Sequence, residues 1–365
     1  MKNSIAIIGA GNGGQAFAGY LSLQGESIKI YDVFQSTVDK LNEVGGVLIE
    51  GNSKYLGFGK IEKASTEIGE VMEGANIILV ILPSTYHKDI AIKMAPYLKD
   101  DQIVILNPHA SLGPIEFRKA LDDCGCTANV TLGCTSTLLF ACRAVEVGHV
   151  VVAGQKKFLT MAAYPSTKNS ILEEKFKNLL PEYKVVDDVI RISLDNINAL
   201  VHPAPTILNT GRIEGNVPFE YYLDCTPAQG RYIDALDKER MALASAYGLN
   251  DVLPLVELYK LMYRTHGNNM YEILKNNEDL KGISGQKSLN TRYLTEDVPY
   301  SLEALHTLGI IANVPTPCID AMITVGRTLV PNMAEGRTSK NLGLEGITKD
   351  EFIRICRESV LASAL

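Results

Sequence analysis

The stretch that decides the fold lies near the N-terminus and reads Ile5-Ala6-Ile7-Ile8-Gly9-Ala10-Gly11-Asn12-Gly13-Gly14-Gln15-Ala16. Its first four residues are apolar and favour a buried β-strand. Gly9, Gly11 and Gly14 then fill the glycine positions of the pattern G-x-G-x-x-G. In this pattern the first glycine permits a tight turn, the second lets a ligand approach the backbone, and the third lets a helix pack closely on the strand. The stretch therefore predicts a strand, a tight turn and a helix in direct succession.

A second strand pattern follows the predicted helix and ends on an acidic side chain. Asp32 lies about 20 residues after Gly9, the spacing at which a carboxylate hydrogen-bonds the ribose of a bound dinucleotide. The amides at the start of the helix would face the pyrophosphate. We therefore predict a Rossmann domain, the alternative being a solvated turn with an unrelated aspartate. NAD is preferred to NADP, because Asp32 would repel a 2′-phosphate and Val33-Phe34-Gln35 contains no arginine.

Further strand patterns alternate with helical patterns through the first half of the chain, as in a parallel α/β sheet. The predicted strands are residues 4–8, 27–31, 77–82, 103–106, 129–134 and 150–153. A glycine-rich segment, 44–59, is expected to form strands or loops at the sheet edge. Ligands of such sheets bind beyond the carboxyl ends of the strands. The residues assigned to the cofactor are Gly9, Gly11, Asn12, Gly13, Gly14, Asp32, Pro83 and Ser84, with an ordinary turn as the alternative for Pro83 and Ser84.

Length and composition suit a globular protein of two domains. The chain has 365 residues, of which 46% are hydrophobic and 21% charged. We place the domains at residues 1–186 and 187–365, because long helical patterns, such as 230–247 and 300–312, dominate the second range. The net charge of −7 disfavours nucleic acid and anionic membranes as partners.

Targeting signals and cysteine spacing indicate the expected cellular location and the state of the cysteines. No run approaches the roughly 18 apolar residues of a membrane span. No signal-peptide pattern is present at the N-terminus, so a cytoplasmic location is expected. The seven cysteines lack regular spacing, so we predict reduced thiols and neither a disulfide framework nor a metal site.

An enzyme that transfers a hydride also needs a group that moves protons, and histidine suits this role near neutral pH. Of the six histidines, His202 stands out because Pro203 and Pro205 follow it in a helical pattern. Each proline removes an amide donor, so the helix should kink or start again beside His202. Asn198 lies one turn earlier and is expected on the same face. The alternative is an ordinary loop between helices with a capping histidine.

A second polar cluster occupies residues 289–300 and contains Arg292, Glu296 and Asp297. The guanidinium of Arg292 suits two-point binding of a substrate carboxylate. Either acidic side chain suits the orientation of a histidine and the stabilisation of its imidazolium. The alternative is a solvated loop before a helix, in which Glu296 and Asp297 would favour the helix dipole.

With the glycine pattern, these segments resemble the opine dehydrogenases, the octopine/nopaline dehydrogenase family. The resemblance spans most of the chain and implies a Rossmann domain followed by an all-helical domain. It also implies the NADH-dependent reductive condensation of an amino acid with a 2-oxo acid, such as pyruvate, to an N-(carboxyalkyl)amino acid. The matching segments are Asn198…His202-Pro203, Asn209-Thr210-Gly211-Arg212-Ile213-Glu214, Asp237-Lys238-Glu239-Arg240, Arg292-Tyr293-Leu294…Glu296-Asp297-Val298-Pro299-Tyr300, Pro315-Thr316-Pro317 and Gly336-Arg337-Thr338…Leu342-Gly343-Leu344.

The resemblance assigns roles to individual residues of the polar segments. His202 and Asp297 correspond to the family's catalytic histidine and aspartate. Arg292 corresponds to its carboxylate-binding arginine, and Asn198 is assigned to the substrate as well. The expected partners are therefore a small amino acid and a 2-oxo acid. A homodimer through the helical domain is an open alternative to a monomer.

The resemblance extends to the first half of the chain. Thr137 and Cys142 resemble contacts on the amino-acid side, with buried packing as the alternative for Cys142. The loop Asn107-Pro108-His109-Ala110-Ser111 departs from the glycine-rich form of the family.

Two rival classes of protein share part of this pattern. Glycerol-3-phosphate dehydrogenases and ketopantoate reductases have the same two-domain layout but use a catalytic lysine at the start of the helical domain. No lysine lies between Lys184 and Lys238, and His202 occupies that region, which counts against them. A non-catalytic NAD-binding sensor would keep the glycine pattern but would have no reason to retain His202, Arg292 and Asp297.

Overall fold

The computed structural model describes residues 2–358. The strands are β1 Ser4–Ile8, β2 Ser27–Tyr31, β3 Gly46–Gly51, β4 Gly57–Lys60, β5 Lys63–Ser65, β6 Ile77–Val80, β7 Ile103–Leu106, β8 Thr131–Thr135, β9 Phe140–Glu146, β10 His149–Gln155, β11 Leu159–Tyr164 and β12 Tyr183–Val185. The α-helices are α1 Asn12–Leu23, α2 Gln35–Val44, α3 Ile68–Met72, α4 His87–Met94, α5 Gly113–Asp123, α6 Asn169–Leu179, α7 Val189–Leu194, α8 Asn198–Val201, α9 Pro203–Leu208, α10 Thr210–Glu214, α11 Pro227–Ala246, α12 Leu255–Met262, α13 Met270–Lys275, α14 Arg292–Thr295, α15 Glu303–Ala312, α16 Pro317–Leu329 and α17 Lys349–Glu358. A π-helical turn, Val298–Leu302, lies between α14 and α15.

The described residues form two compact units. The first comprises residues 2–109, 113–192 and 356–358, and the second comprises 110–112 and 193–355. The division falls within α7, shortly after the boundary predicted at residue 186. The first unit is α/β, and the second is helical apart from one isolated bridge between Glu220 and Ser284. The predicted fold class, a Rossmann domain followed by an all-helical domain, is confirmed.

The first unit contains an eight-stranded sheet in the order β12-β11-β8-β7-β6-β1-β2-β5. All neighbours pair in parallel except β11 and β8. Strands β6 and β7 are continuously apolar and wholly buried, as expected where helices cover both faces of a sheet. Because β2 and β6 flank β1 on opposite sides, the strand order reverses at β1, where α/β sheets place their ligands.

A separate four-stranded sheet, ordered β4-β3-β10-β9, packs on α1. The segment 44–59, expected at the edge of the main sheet, supplies β3 and β4, and the predicted strand 150–153 lies within β10. Both therefore belong to this second sheet. Burial along β10 alternates, as expected of a strand with one covered face. Close approach of α1 explains one glycine, because a Cβ on Gly59 would lie 2.3 Å from the carbonyl oxygen of Gly19.

The longest helix of the second unit, α11, has a capping box at its N-terminus and a glycine shortly after its C-terminus. The Thr226 hydroxyl accepts a hydrogen bond from the Gln229 amide at 3.3 Å, and the Gln229 side chain accepts one from the Thr226 amide at 2.8 Å. This capping box satisfies two amides at the helix start. Gly248 follows the helix with a φ of +74°. Within α11, wholly buried Arg240 binds Asp237 and the carbonyl oxygens of Leu194 and Leu253, so the segment 237–240 has a structural role.

Residues 2–358 contain neither a candidate membrane-spanning helix nor a cluster of metal-binding side chains. No helix in this range has both the length and the apolar character to cross a membrane. No group of three or more His, Cys, Asp and Glu side chains in the same range is arranged to hold a metal ion.

Candidate active site

The glycine-rich turn joins β1 to α1, and each glycine has its own steric setting. Gly9 has a φ of +108°, and a Cβ there would lie 2.6 Å from the carbonyl oxygen of Ile81. A Cβ on Gly14 would lie 1.7 Å from the carbonyl oxygen of Gly9, so α1 can pack here only without a side chain. Gly11, by contrast, has no atom within 4 Å of its Cβ position. This open space beside the first amides of α1 fits a pyrophosphate.

Asp32 follows β2 and binds the same turn. Its Oδ2 accepts a hydrogen bond from the Ala10 amide at 2.8 Å, and its Oδ1 accepts one from the Phe34 amide at 3.0 Å. A carboxylate offers about four acceptor sites, so acceptor capacity remains for ribose hydroxyls. Val33 and Phe34 are both exposed, and neither brings a positive charge. These residues fit NAD.

Asn12 and Cys142 connect the start of α1 to the second sheet. The Asn12 side-chain oxygen accepts a hydrogen bond from the Ala144 amide at 3.0 Å, so the side chain is engaged by β9. The Cys142 thiol lies 3.5 Å from the Asn12 carbonyl oxygen. Burial raises the pKa of Cys142 to about 11, so the thiol is neutral and acts as a donor. Cys142 is half-buried and lies beside the glycine-rich turn.

The segments after β6 and β8 lie beside the glycine-rich turn. Leu82 directly precedes Pro83 and Ser84, and its side chain is 2.6 Å from the Cβ position of Gly9. Leu138 directly follows Thr137, and its side chain is 3.4 Å from the Cβ position of Gly13. The first unit therefore brings together the predicted cofactor residues, Thr137 and Cys142.

In the helical unit, His202 lies between α8 and α9. Helix α8 ends at Val201 and α9 begins at Pro203, so the predicted interruption of the helix is confirmed. Nδ1 of His202 lies 2.8 Å from Oδ2 of Asp297, although 95 residues separate them in sequence. Both side chains are buried. Because Nδ1 faces Asp297, Nε2 is the ring nitrogen that lies outside this pair.

Neighbouring side chains fix both members of the pair. The Tyr293 ring stacks on the His202 ring, with centroids 4.0 Å apart and planes within 10°. The Tyr221 hydroxyl donates to the His202 carbonyl oxygen at 2.5 Å. The Ser301 hydroxyl donates to Oδ1 of Asp297 at 3.3 Å. These contacts were not predicted from the sequence. The four-residue spacing of Tyr293 and Asp297 is the one available signal, because it places both side chains on the same face of a helix.

Arg292 and Asn198 begin two short helices of the same unit, α14 and α8. The Arg292 side chain is about half exposed, and its Nε lies 3.2 Å from Oε2 of buried Glu296. Burial acts to lower the pKa of Arg292, but the carboxylates of Glu296 and Asp297 outweigh it and raise that pKa. Glu296 and Asp297 are only 4% and 5% exposed. The alternative interpretation of residues 289–300 as a solvated loop is therefore wrong.

A Rossmann unit with an acidic residue at the end of its second strand and a helical unit with a buried His–Asp pair are typical of an NAD-dependent dehydrogenase. Residues 185–330 match the family model of the NAD/NADP octopine/nopaline dehydrogenase alpha-helical domain. Residues 4–108 match that of the NAD-dependent glycerol-3-phosphate dehydrogenase N-terminus.

Within the NAD-dependent dehydrogenases, the proteins most relevant for comparison are opine and octopine dehydrogenases. The chain is 39% identical to an opine dehydrogenase of Arthrobacter sp. (strain 1C), over 95% of this chain and 97% of that one. It is 23% identical to octopine dehydrogenase of Mizuhopecten yessoensis, over 89% of each chain. A solved structure of octopine dehydrogenase with NADH and L-arginine superimposes with a TM-score of 0.82 at 20% identity, covering 98% of this chain and 99% of that one.

The chain belongs to the opine dehydrogenase family. It is an NAD-dependent oxidoreductase that reductively condenses an amino acid with a 2-oxo acid. The predicted family, activity and cofactor are thus confirmed. The match to glycerol-3-phosphate dehydrogenase is confined to residues 4–108, outside the segment that carries His202 and Asp297, so the rival reductases are not favoured.

Proposed function

We propose that His202 is the acid–base catalyst of this reaction and that Asp297 orients it. The observation that carries the proposal is the buried 2.8 Å contact between Nδ1 of His202 and Oδ2 of Asp297. The carboxylate accepts the Nδ1 proton, so Nε2 is free to accept and return a proton. The charge of Asp297 also stabilises the imidazolium that forms when Nε2 is protonated.

The reaction needs protons at two points. When the substrate amine attacks the oxo carbon, His202 accepts the proton that the nitrogen releases. That proton passes to the former oxo oxygen and gives the carbinolamine. A further proton, taken up from solvent and relayed by His202, lets the hydroxyl leave as water and yields a protonated imine. Bound NADH supplies the hydride that reduces the imine carbon. Acid–base assistance of this kind contributes about 10²–10⁴-fold.

Substrate contacts are proposed on both units. Arg292 binds a substrate carboxylate, because its half-exposed guanidinium keeps donors beyond the one that faces Glu296. Asn198, one turn before His202, contacts the same substrate. In the first unit, Thr137 and Cys142 contact the amino acid. The proposed cofactor contacts are Gly9, Gly11, Asn12, Gly13, Gly14, Asp32, Pro83 and Ser84.

Pyruvate is the oxo acid that we propose to test first, because a solved octopine dehydrogenase structure holds NADH and pyruvate. NADH oxidation would be measured with pyruvate and a panel of amino acids, and the product identified by mass spectrometry. We expect oxidation only when both substrates are present. Oxidation with pyruvate alone would instead indicate a 2-oxo acid reductase.

Substitution of His202 tests the catalyst directly. His202→Ala should lower kcat about 10²–10⁴-fold with NADH binding unchanged. His266→Ala is the matched control, since His266 is exposed and has no assigned role. Wild-type turnover in His202→Ala would show that another group moves the protons.

We also propose a cytoplasmic enzyme that forms a homodimer through its helical unit. The seven cysteines are free thiols, which suits a reducing compartment. Exposed apolar side chains of the helical unit include Leu261 and Ile310, and such side chains suit a subunit contact. Light scattering would separate a dimer from a monomer by mass, and Ile310→Glu should shift a dimer to monomer.

A further inference from the structure

Lys156 is a cationic side chain that the proposed mechanism does not use. It lies between β10 and β11, and its ammonium donates to the Thr137 hydroxyl at 3.0 Å. Its amide donates to the Leu139 carbonyl oxygen at 2.9 Å. The Tyr183 hydroxyl of β12 donates to the Thr137 carbonyl oxygen at 3.2 Å. Lys156 is therefore held against the segment after β8, whose Leu138 lies beside Gly13.

Among the described residues, no carboxylate acts as a counter-ion for this ammonium. Across residues 2–358, no carboxylate comes within 4.0 Å of the Lys156 ammonium, and Thr137 is its side-chain partner. An ammonium has three N–H donors, so the Thr137 hydroxyl leaves two for a ligand. Burial alone lowers the pKa of Lys156 to about 8, so the group is mainly charged at neutral pH. Lys156 is half-buried. A partly desolvated cation without a counter-ion is unfavourable, and a bound anion would reduce that cost.

We propose that the Lys156 ammonium, together with the Thr137 hydroxyl, binds a carboxylate of the amino-acid substrate. The inference rests on the proposed function, in which Thr137 contacts the amino acid. An ammonium and a carboxylate form strong charge-assisted hydrogen bonds. The carboxylate is either the α-carboxylate or that of an acidic side chain. The cofactor pyrophosphate is the competing anion, and we assign it to the open space at Gly11, where α1 begins.

The test compares Lys156→Met with Lys157→Met at pH 7. Both variants lose one positive charge, but Lys157 is exposed and has no assigned role. With pyruvate and NADH held constant, Lys156→Met should raise KM for the amino acid about 10- to 100-fold. KM for NADH should stay unchanged, and Lys157→Met should behave as the wild type. Lys156→Arg, which keeps the charge, should restore most of the affinity.

A second experiment distinguishes binding of the substrate carboxylate by Lys156 from a purely structural role in holding the segment around Thr137. Replacing the α-carboxylate, or the side-chain carboxylate of an acidic amino acid, by its amide removes one charge at a time. The amide at the bound position should have the same KM in the wild type and in Lys156→Met. If the substitution raises KM for each of these amides as much as for the free amino acid, Lys156 only supports the segment around Thr137 and the proposal is overturned. A change in KM confined to an acidic amino acid would identify the side-chain carboxylate, whereas a change for alanine as well would identify the α-carboxylate.

Two outcomes distinguish this inference from the proposed function. If Lys156→Met changes KM for NADH and leaves that for the amino acid unaltered, the anion belongs to the cofactor and the inference is wrong. If the wild type shows no amino-acid-dependent NADH oxidation, the proposed function itself fails, and the inference fails with it.

Discussion

The glycine-rich turn and the His202–Asp297 pair hold functional groups in opposite ways. The turn is made of backbone, and at Gly9 and Gly14 the structure has no room for a Cβ. The pair is made of side chains from distant segments, fixed by hydrogen bonds and by the Tyr293 ring. We therefore expect the turn to be disrupted by substitutions that add a side chain to a glycine. The pair should instead lose function when a side chain is replaced by one of the same size but different hydrogen-bonding groups.

The largest effect is expected from an exchange at the pair. Asp297→Asn keeps the shape of the side chain, but its amide can donate to Nδ1 and so place the ring proton on Nε2. We expect kcat to fall about 10²-fold or more, while NADH affinity stays at the wild-type value. Steady-state rates and NADH fluorescence titration measure the two quantities. Full activity in this variant would show that the proton position on His202 is immaterial.

The turn is tested by added methyl groups. The methyl of Gly14→Ala would meet the Gly9 carbonyl oxygen, and overpacking of this kind costs about 1–3 kcal/mol. We expect a lower Tm and weaker NADH binding. Gly11→Ala should keep the wild-type Tm, since nothing lies near its Cβ position, yet weaken NADH binding about tenfold because the methyl takes pyrophosphate space. A drop in Tm for Gly11→Ala alone would reverse this assignment of the two glycines.

Asp32 shares features of both regions, because its side chain accepts a hydrogen bond from the backbone of the glycine-rich turn. Asp32→Asn keeps one acceptor oxygen but removes the charge that repels a 2′-phosphate. We expect the ratio of kcat/KM for NADH over NADPH to fall about tenfold, equivalent to about 1.4 kcal/mol. An unchanged ratio would show that cofactor choice depends on other residues.

The smallest effect is expected at the ring that supports the pair. Tyr293→Leu removes the stack on His202, and aromatic pairs contribute about 0.5–1.5 kcal/mol beyond their buried area. We expect kcat to fall about 2- to 10-fold with unchanged NADH affinity. Tyr293→Phe keeps the ring and should stay near the wild-type rate. A larger loss in Tyr293→Phe than in Tyr293→Leu would assign the effect to the hydroxyl instead.

The Rossmann unit could be predicted closely, because its signals are local. Residues 4–8, 27–31 and 103–106 coincide with β1, β2 and β7, since buried strands carry apolar residues either in a continuous run, as in β7, or at alternate positions, as in β2. The predicted strand 77–82 is two residues longer than β6, which ends at Val80. Ile81 and Leu82 are apolar because they pack against the glycine-rich turn, and not because they belong to the strand. The second sheet was not predicted, since pairing of β3 with β10 joins segments far apart in sequence.

The candidate acid–base site was only partly predictable, for the same reason. The prolines after His202 predicted an interrupted helix, and the structure has one. The pairing of His202 with Asp297 came from the family resemblance, because no local spacing relates residues so distant in the chain. The support of Asp297 by Ser301, which in turn accepts from Asn196 at 3.0 Å, depends on tertiary packing and has no sequence signature.

The hydrogen bond from the Ala10 amide to Asp32 makes the nucleotide site pre-organised. The carboxylate that we propose to discriminate between cofactors also ties the end of β2 to the glycine-rich turn, so the turn is shaped before the ligand arrives. Selectivity and architecture thus share one side chain. A conversion to NADP by engineering would therefore have to replace two functions together, the acceptor that fixes Ala10 and the charge that excludes a phosphate.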